Sequence, residues 1–243
     1  MKQHFTCLVC LLYAFSFQVN AQSNAADSAF YSQSVQQAVG LYMKVLGESS
    51  NLYNGAEYIY SSHGVKGHPF FATNQLQKGT VEYNGTKYPD VPMLYDLVQD
   101  KLFITDTAMN FNIQLNSERI RYFVLNGHTF MSLQADSINM PSTGPGFYDL
   151  IYDGKLKVLV KRTKRVERAF KAEDSVHYVQ YSDFFIRKNN VYSQVDGKKS
   201  LFSLFKDEKD KVRKYFRKNK LNFRKDPENA IILTTDYYAQ LKN

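Results

Sequence analysis

Cysteine and tryptophan are nearly missing from this sequence. There is no tryptophan, and the only two cysteines, Cys7 and Cys10, lie within the first ten of 243 residues. A chain processed beyond them contains no thiol, which excludes disulfides, cysteine-ligated zinc and thiol catalysis from the processed protein. Its stability must come from an ordinary apolar core, and its 18 tyrosines and 18 phenylalanines favour packing on β-sheets.

Long apolar runs are also missing, apart from one near the start of the chain. Residues 5–17 form an uncharged apolar run that follows Lys2 and is closed by Gln18. This run is shorter than the ~20 apolar residues that span a bilayer, but it has the length and the flanks of a secretory signal. The sequence therefore predicts export and no transmembrane segment.

The predicted signal peptide covers residues 1–21, and residues 22–243 form a single predicted β-rich domain. Cleavage after Ala21 predicts a protein of the periplasm, the outer-membrane periphery or the extracellular space. Two alternatives are an uncleaved membrane anchor and a lipoprotein acylated on Cys10. The residue before that cysteine is Val9 rather than a small residue, which favours cleavage without acylation.

Recognisable catalytic motifs are missing as well. The 12 glycines form no phosphate-binding loop, and the chain lacks a Gly-x-Ser-x-Gly elbow and a His-Glu-x-x-His helix. His63 and His68 flank a loop without a third ligand in register, so we predict no metal site. His128 and His177 are expected to be exposed strand residues. We predict no cofactor, and the sequence favours a non-enzymatic protein.

One repeated pattern leaves an enzymatic alternative open. Residues 95–97 and 148–150 both read Tyr-Asp-Leu, and each lies at a predicted hairpin. If the two hairpins were neighbours, Asp96 and Asp149 would be candidates for the acid/base pair of a hydrolase. Strand carboxylates more often face solvent or accept hydrogen bonds from a turn. Shared hairpin chemistry also explains the repeat without a duplicated unit.

Positive charge is concentrated in two segments of the chain. Beyond residue 21 there are 30 basic and 23 acidic residues in total. Residues 155–171 contain eight basic residues and one acid, and residues 198–225 contain twelve basic residues and three acids. The remainder is acidic, so the sequence predicts a two-sided electrostatic surface. The alternative is that both segments are simply solvated strand and helix faces.

Four residues of the first basic segment are the candidate binding residues, namely Lys161, Arg162, Lys164 and Arg165. The expected partner is an anionic envelope surface, such as lipid head groups or lipopolysaccharide phosphates, or an acidic protein. Nucleic acid is not expected, because the chain is predicted to be exported and contains no recognisable DNA or RNA module. A second hypothesis is a carrier that holds a small apolar ligand or lipid in the cavity of a curved sheet.

The predicted fold is mainly β with flanking helices, an α+β class. From Glu57 to about Val195, short aromatic and β-branched runs alternate with turn residues, which is typical of an antiparallel meander of roughly ten or more strands. Three hairpins are predicted at the Asn-Gly or Asp-Gly pairs 84–85, 126–127 and 153–154. Because so many strands must curl or divide, we expect a large curved half-barrel or a sandwich.

One N-terminal and two C-terminal helices complete the predicted fold. Residues 32–46 place apolar side chains at helical spacing, and a second such pattern runs from Ser200 to about Lys218. Asp226 and Pro227 mark the start of the last helix, because a capping carboxylate is followed by proline at the first helical position.

Four short segments carry a family resemblance. They read LYNGAEY at 52–58, GTVEYNGTKY at 79–88, VPMLYD at 91–96 and Tyr-Tyr at 237–238. In these segments the chain resembles a group of uncharacterised exported β-rich proteins of Bacteroidota, and the resemblance covers most of the chain beyond the signal. It implies an envelope location and a β-rich fold. The group has no established activity, so the resemblance assigns no functional residue.

Overall fold

The computed structural model describes most of the chain beyond the predicted signal. The described residues are 33–35, 37–38, 52, 55–58, 64–106, 111–135, 140–168 and 176–242. The chain divides into two compact units, residues 1–46 and 47–243. In the first unit, residues 33–35 and 37–38 are helical, within the predicted N-terminal helix. The predicted signal peptide and the rest of that helix lie outside the described residues.

The second unit is built on one large sheet of twelve strands. The strands are β1 Ala56–Glu57, β2 Val65–Lys66, β3 Gln77–Tyr83, β4 Thr86–Asp96, β5 Lys101–Asp106, β6 Phe111–Gln114, β7 Ile120–Leu125, β8 His128–Leu133, β9 Gly146–Asp153, β10 Lys157–Arg168, β11 Val176–Lys188 and β12 Val191–Gln194. Their order in the sheet is β1-β6-β5-β4-β3-β7-β8-β9-β10-β11-β12, and β2 pairs with β11. Among the strand pairs of the described residues, only β2 and β11 are parallel. The predicted antiparallel meander is therefore confirmed.

Two of the three predicted hairpin turns are confirmed. The third prediction is wrong in its turn: β9 and β10 do pair as a hairpin, but residues 154–156 connect them and neither Asp153 nor Gly154 has a positive φ angle. Asn84 and Gly85 join β3 to β4 with φ angles of 51° and 75°, and Asn126 and Gly127 join β7 to β8 with 50° and 78°. Consecutive positive φ angles at both central residues are the requirement of a tight hairpin turn, which asparagine and glycine meet at least cost.

The sheet is strongly curved. This curvature brings the turn after β4 into contact with strands that lie far from β4 in the sheet order. The backbone N–H of Lys164 in β10 donates to the carbonyl of Leu97 at 3.1 Å. The N–H of Phe147 in β9 donates to the Asp100 carboxylate at 3.3 Å. The large curved sheet, rather than a flat one, is therefore confirmed.

Aromatic rings fill the interior of this curve. Phe123 and Phe130 stack with centroids 4.8 Å apart, and Tyr95 meets Phe130 edge-on at 4.9 Å. Phe147 and Phe71 complete the cluster at 5.1 Å from Phe123 and 5.0 Å from Phe130, respectively. All five side chains are buried. Such close packing leaves no room for a ligand among these rings.

Three α-helices follow the sheet: α1 Lys198–Leu204, α2 Lys209–Lys218 and α3 Pro227–Leu241. The helix predicted from Ser200 to Lys218 is thus divided in two by a 3₁₀ turn at Lys206–Glu208. The fully buried Phe205 stands at this break and stacks on Tyr238 of α3 at 4.2 Å. A continuous helix would not place that ring there, so tertiary packing overrides the local helical pattern.

The three helices cover one face of β10 and β11. Val158, Val160, Phe184 and Ile186 from the strands share one buried apolar cluster with side chains from all three helices. The final helix starts as predicted, since the Asp226 side chain accepts from the Asn229 N–H at 3.1 Å and Pro227 opens the helix. Among the described residues, no helix combines the length and apolarity needed to cross a membrane.

Candidate functional site

Arg162 of the first basic segment belongs to a buried charge network. Arg162 in β10 and Asp149 in β9 are only 6% and 1% exposed. The Arg162 Nε and Nη2 atoms both lie near the Asp149 Oδ2 atom, at 2.7 and 2.6 Å. The Arg162 Nη1 atom also donates to Glu228, in the first turn of α3, at 2.8 Å. This network ties the sheet to the last helix.

Arg162 keeps its charge in this position. Burial by itself would lower the pKa of the guanidinium, but hydrogen bonds and the negative charges of Glu228 and Asp149 outweigh burial and raise that pKa. The same Asp149 oxygen lies 2.7 Å from the Nδ1 atom of His128, whereas its other oxygen has no partner among the described residues. The Arg162 charge is therefore used within the protein.

Lys161, like Arg162, forms an ion pair with a carboxylate of the protein itself. Its ammonium group lies 2.5 Å from the Asp100 carboxylate and 3.2 Å from the carbonyl of Phe147. Asp100 also accepts the hydroxyl hydrogen of Tyr95 at 2.5 Å. Burial, followed by the negative charge of Asp100, raises the pKa of that hydroxyl well above its usual value, which keeps Tyr95 neutral as a donor.

Lys164 and Arg165 occupy two different environments. The Lys164 ammonium donates to the carbonyls of His68 and Phe70 at 3.0 and 2.6 Å, and burial lowers its pKa. Arg165 is exposed and stacks over the ring of Tyr181 at 5.3 Å. Of the four candidate residues from the sequence, Arg165 alone has an exposed side chain. A surface for an anionic partner therefore has to rest mainly on other residues.

The two repeated aspartates have separate partners. Asp96, at the end of β4, is buried and accepts from the backbone N–H groups of Val98 and Gln99 at 2.7 and 2.9 Å. Its second oxygen accepts from the Tyr58 hydroxyl at 2.9 Å. These bonds hold the turn after β4, whereas Asp149 is bound by Arg162. Among the described residues, each carboxylate therefore has hydrogen-bond partners of its own.

The histidines do not assemble a metal centre in the part of the chain that the structure describes. No group of three or more His, Cys, Asp or Glu side chains there is arranged to hold a metal ion. His63 lies outside the described residues. His68 stacks on Phe70 with centroids 6.1 Å apart, and burial lowers its pKa. His128 and His177 are half-buried rather than fully exposed.

The second basic segment, in contrast, forms a solvent-exposed surface. Between Lys211 and Lys225 the sequence contains no acidic residue. We define the α2 basic face as the exposed cations of residues 212–225, namely Arg213, Lys214, Arg217, Lys218, Lys220, Arg224 and Lys225. No member has an ion-pair partner among the described residues; the neighbouring Lys211 pairs with Glu208 at 3.0 Å.

The amphipathic pattern of α2 accounts for this surface. Val212 and Phe216, one helical turn apart, are buried against the core, and the basic residues occupy the exposed positions around them. Arg213 and Arg217, like Lys214 and Lys218, are spaced four residues apart, where like charges destabilise a helix by ~0.2–0.5 kcal/mol per pair. Helix-dipole attraction favours Arg217 and Lys218 in the last turn, but not the cations beyond the helix. Nearby negative charge from a partner would relieve this repulsion.

An open cleft of about 570 Å³ lies beside the α2 basic face. Its walls come from β11, from the connection between β12 and α1, and from the connection between α2 and α3. Arg224 lines the cleft and also belongs to the α2 basic face, so the two features adjoin.

Comparison with protein-family models, with curated proteins and with solved structures found no match for this chain. The resemblance to exported Bacteroidota proteins therefore stays a prediction, and the candidate site rests on the geometry alone.

Proposed function

We propose that this protein is a non-enzymatic binding or accessory protein of the cell envelope, which docks on an anionic, phosphate-bearing surface through the α2 basic face. The observation that carries the proposal is the set of seven exposed cations, without ion-pair partners among the described residues, on one helix and the connection after it. Export and envelope location enter this proposal from the predicted signal peptide and the family resemblance.

An extended array of phosphate groups suits this surface better than one small molecule does. The cations are distributed along a helix of ten residues and the seven residues after it, so they present charge over an extended area. Arginine forks bind phosphate oxygens in pairs, and lysines act as mobile point charges. An array of both supports docking on many head groups, each basic residue adding roughly 1 kcal/mol near an anionic membrane surface.

The carrier alternative receives less support from the packing. The described interior of the curved sheet is occupied by buried aromatic rings at contact distance, among them Phe123 and Phe130. A ligand would have to displace these rings to enter. The exposed cations, in contrast, need no rearrangement before they contact an anionic surface.

Vesicle binding tests the proposal. We expect the purified protein to co-sediment with vesicles of phosphatidylcholine and phosphatidylglycerol, but not with vesicles of phosphatidylcholine alone. Binding should be strong at ~0.01 M salt, where the Debye length is ~30 Å, and largely lost at ~1 M, where it is ~3 Å. Absence of binding to the anionic vesicles at low salt would overturn the proposal.

A further inference from the structure

The cleft beside the α2 basic face contains both signs of charge. Lys198 at the start of α1 and Arg224 after α2 contribute cations, and Asp196 before α1 contributes a carboxylate. Asp183 of β11 also borders the cleft, but it pairs with Lys161 in the sheet register, so its side chain lies on the face of β11 opposite to that of Phe184. Within the described parts of the chain, the side chains of Lys198, Arg224 and Asp196 form no ion pair, and the Lys198 ammonium lies over the ring of Phe216 at 5.2 Å. Opposite charges that line one cleft without pairing to each other remain available to a ligand.

Local hydrogen bonds fix the backbone around this cleft. The N–H groups of Asp196 and Gly197 donate to the Ser200 hydroxyl at 3.0 and 3.1 Å, which holds the entry to α1. The Asn222 side chain accepts from the N–H of Arg224 at 3.0 Å and so fixes the connection before α3. The charged residues therefore stand on preorganised turns, which reduces the ordering cost of binding.

The apolar lining gives the cleft a second property. Phe184 is buried and Phe223 is half-buried, and both line the cleft together with the charged residues. The volume of about 570 Å³ lies within the range of ~300–1,000 Å³ that is usual for small-molecule sites. The cleft thus combines charged groups of both signs with an apolar surface.

We propose that this cleft binds a small zwitterion that carries a primary ammonium and a phosphate group, as in an ethanolamine phosphate head group. Lys198 and Arg224 would hold the phosphate, for which the arginine fork is well matched. Asp196 would accept the hydrogen bonds of the ammonium, and Phe223 would cover the carbon chain between the ammonium and the phosphate. The inference extends the proposed function from general attraction to phosphate to the recognition of one head group.

Calorimetric titration with soluble phosphoethanolamine tests the site. We expect phosphoethanolamine to bind roughly tenfold more tightly than phosphocholine, whose quaternary nitrogen donates no hydrogen bond to a carboxylate. Asp196→Asn should abolish that preference, and Arg224→Gln should weaken both ligands. Lys199→Gln, which removes a neighbouring exposed cation that neither lines the cleft nor belongs to the α2 basic face, is the matched control and should change neither.

The source of the ligand is tested with neutral vesicles. Recruitment to phosphatidylethanolamine vesicles at ~1 M salt, where attraction to the α2 basic face is screened, supports a lipid head group. Binding of the soluble compound alone supports a free metabolite of the same chemistry. Equal affinity for inorganic phosphate and phosphoethanolamine, or an Asp196→Asn variant that keeps the preference, would overturn the inference. Either result leaves the binding of anionic vesicles by α2 as a separate question.

Discussion

Replacement of Arg162 by leucine is expected to lower the free energy of unfolding by about 3–5 kcal/mol. The substitution leaves the Asp149 carboxylate, only 1% exposed, without its guanidinium partner in the protein interior. Glu228 loses the same partner, but it is 36% exposed and retains access to water. The cost therefore comes mainly from the buried charge of Asp149, which keeps its contact with His128 but loses the guanidinium.

Urea unfolding followed by circular dichroism measures this cost. Arg165→Leu provides the matched control, because the same residue type is removed from an exposed position, where substitutions usually change stability by less than ~0.5 kcal/mol. Adding Asp149→Asn to Arg162→Leu should recover part of the loss, since it removes the unpaired charge. Equal stability of the Arg162 and Arg165 variants would contradict the buried network.

Replacement of Phe130 by alanine is expected to cost about 3–5 kcal/mol as well. The ring is 1% exposed and packs against the benzene rings of Phe71, Tyr95 and Phe123 in the curve of the sheet. Its removal leaves a cavity that rigid strands on both sides cannot close. Thermal and urea unfolding of the variant give the loss directly.

The Phe130 variant also distinguishes two hypotheses, a sheet interior filled by side chains and a sheet interior that contains a ligand cavity. Rings that line a ligand cavity have open space on one side, so their truncation would cost much less stability. Phe202→Ala, at a half-buried ring on α1, is the comparison and should cost clearly less than Phe130→Ala. Similar small losses in both variants would favour the carrier alternative.

Much of the fold was predictable because its signals are local. The pairs Asn84-Gly85 and Asn126-Gly127 place two positive φ angles at the hairpin turns, and few other residue pairs adopt this conformation readily. Asp226 and Pro227 mark a helix start by the same kind of short-range chemistry. The break at Phe205 was not predictable, because it depends on the distant ring of Tyr238.

The environment of the candidate binding residues depended on contacts that the sequence does not reveal. A strand segment rich in lysine and arginine is ordinarily solvated, and charged residues are seldom buried without a partner. The partners of Lys161 and Arg162 include Asp100 and Glu228, which lie 61 and 66 residues away in the chain. Only the tertiary fold brings these charges together.

The α2 basic face lies in the second basic segment, residues 198–225, whereas the candidate binding residues were chosen from the first segment. Val212 and Phe216 are four residues apart, and the positions between and beyond them are mostly basic. An amphipathic helix buries the apolar pair and exposes the rest, so this segment was the better candidate for a basic surface. The strand segment offered no comparable indication of which charges face solvent.

The central claim, that the α2 basic face docks on anionic surfaces, is tested most directly by vesicle co-sedimentation of two matched triple variants. One changes Lys214, Arg217 and Lys218 to glutamine, and the other changes the exposed Lys78, Lys87 and Arg119 to glutamine, so both lose the same net charge. At roughly 1 kcal/mol per residue, we expect the first to bind about a hundredfold more weakly than the unmodified protein and the second to bind nearly as well. Equal affinities of the two variants for anionic vesicles at low salt would contradict the claim.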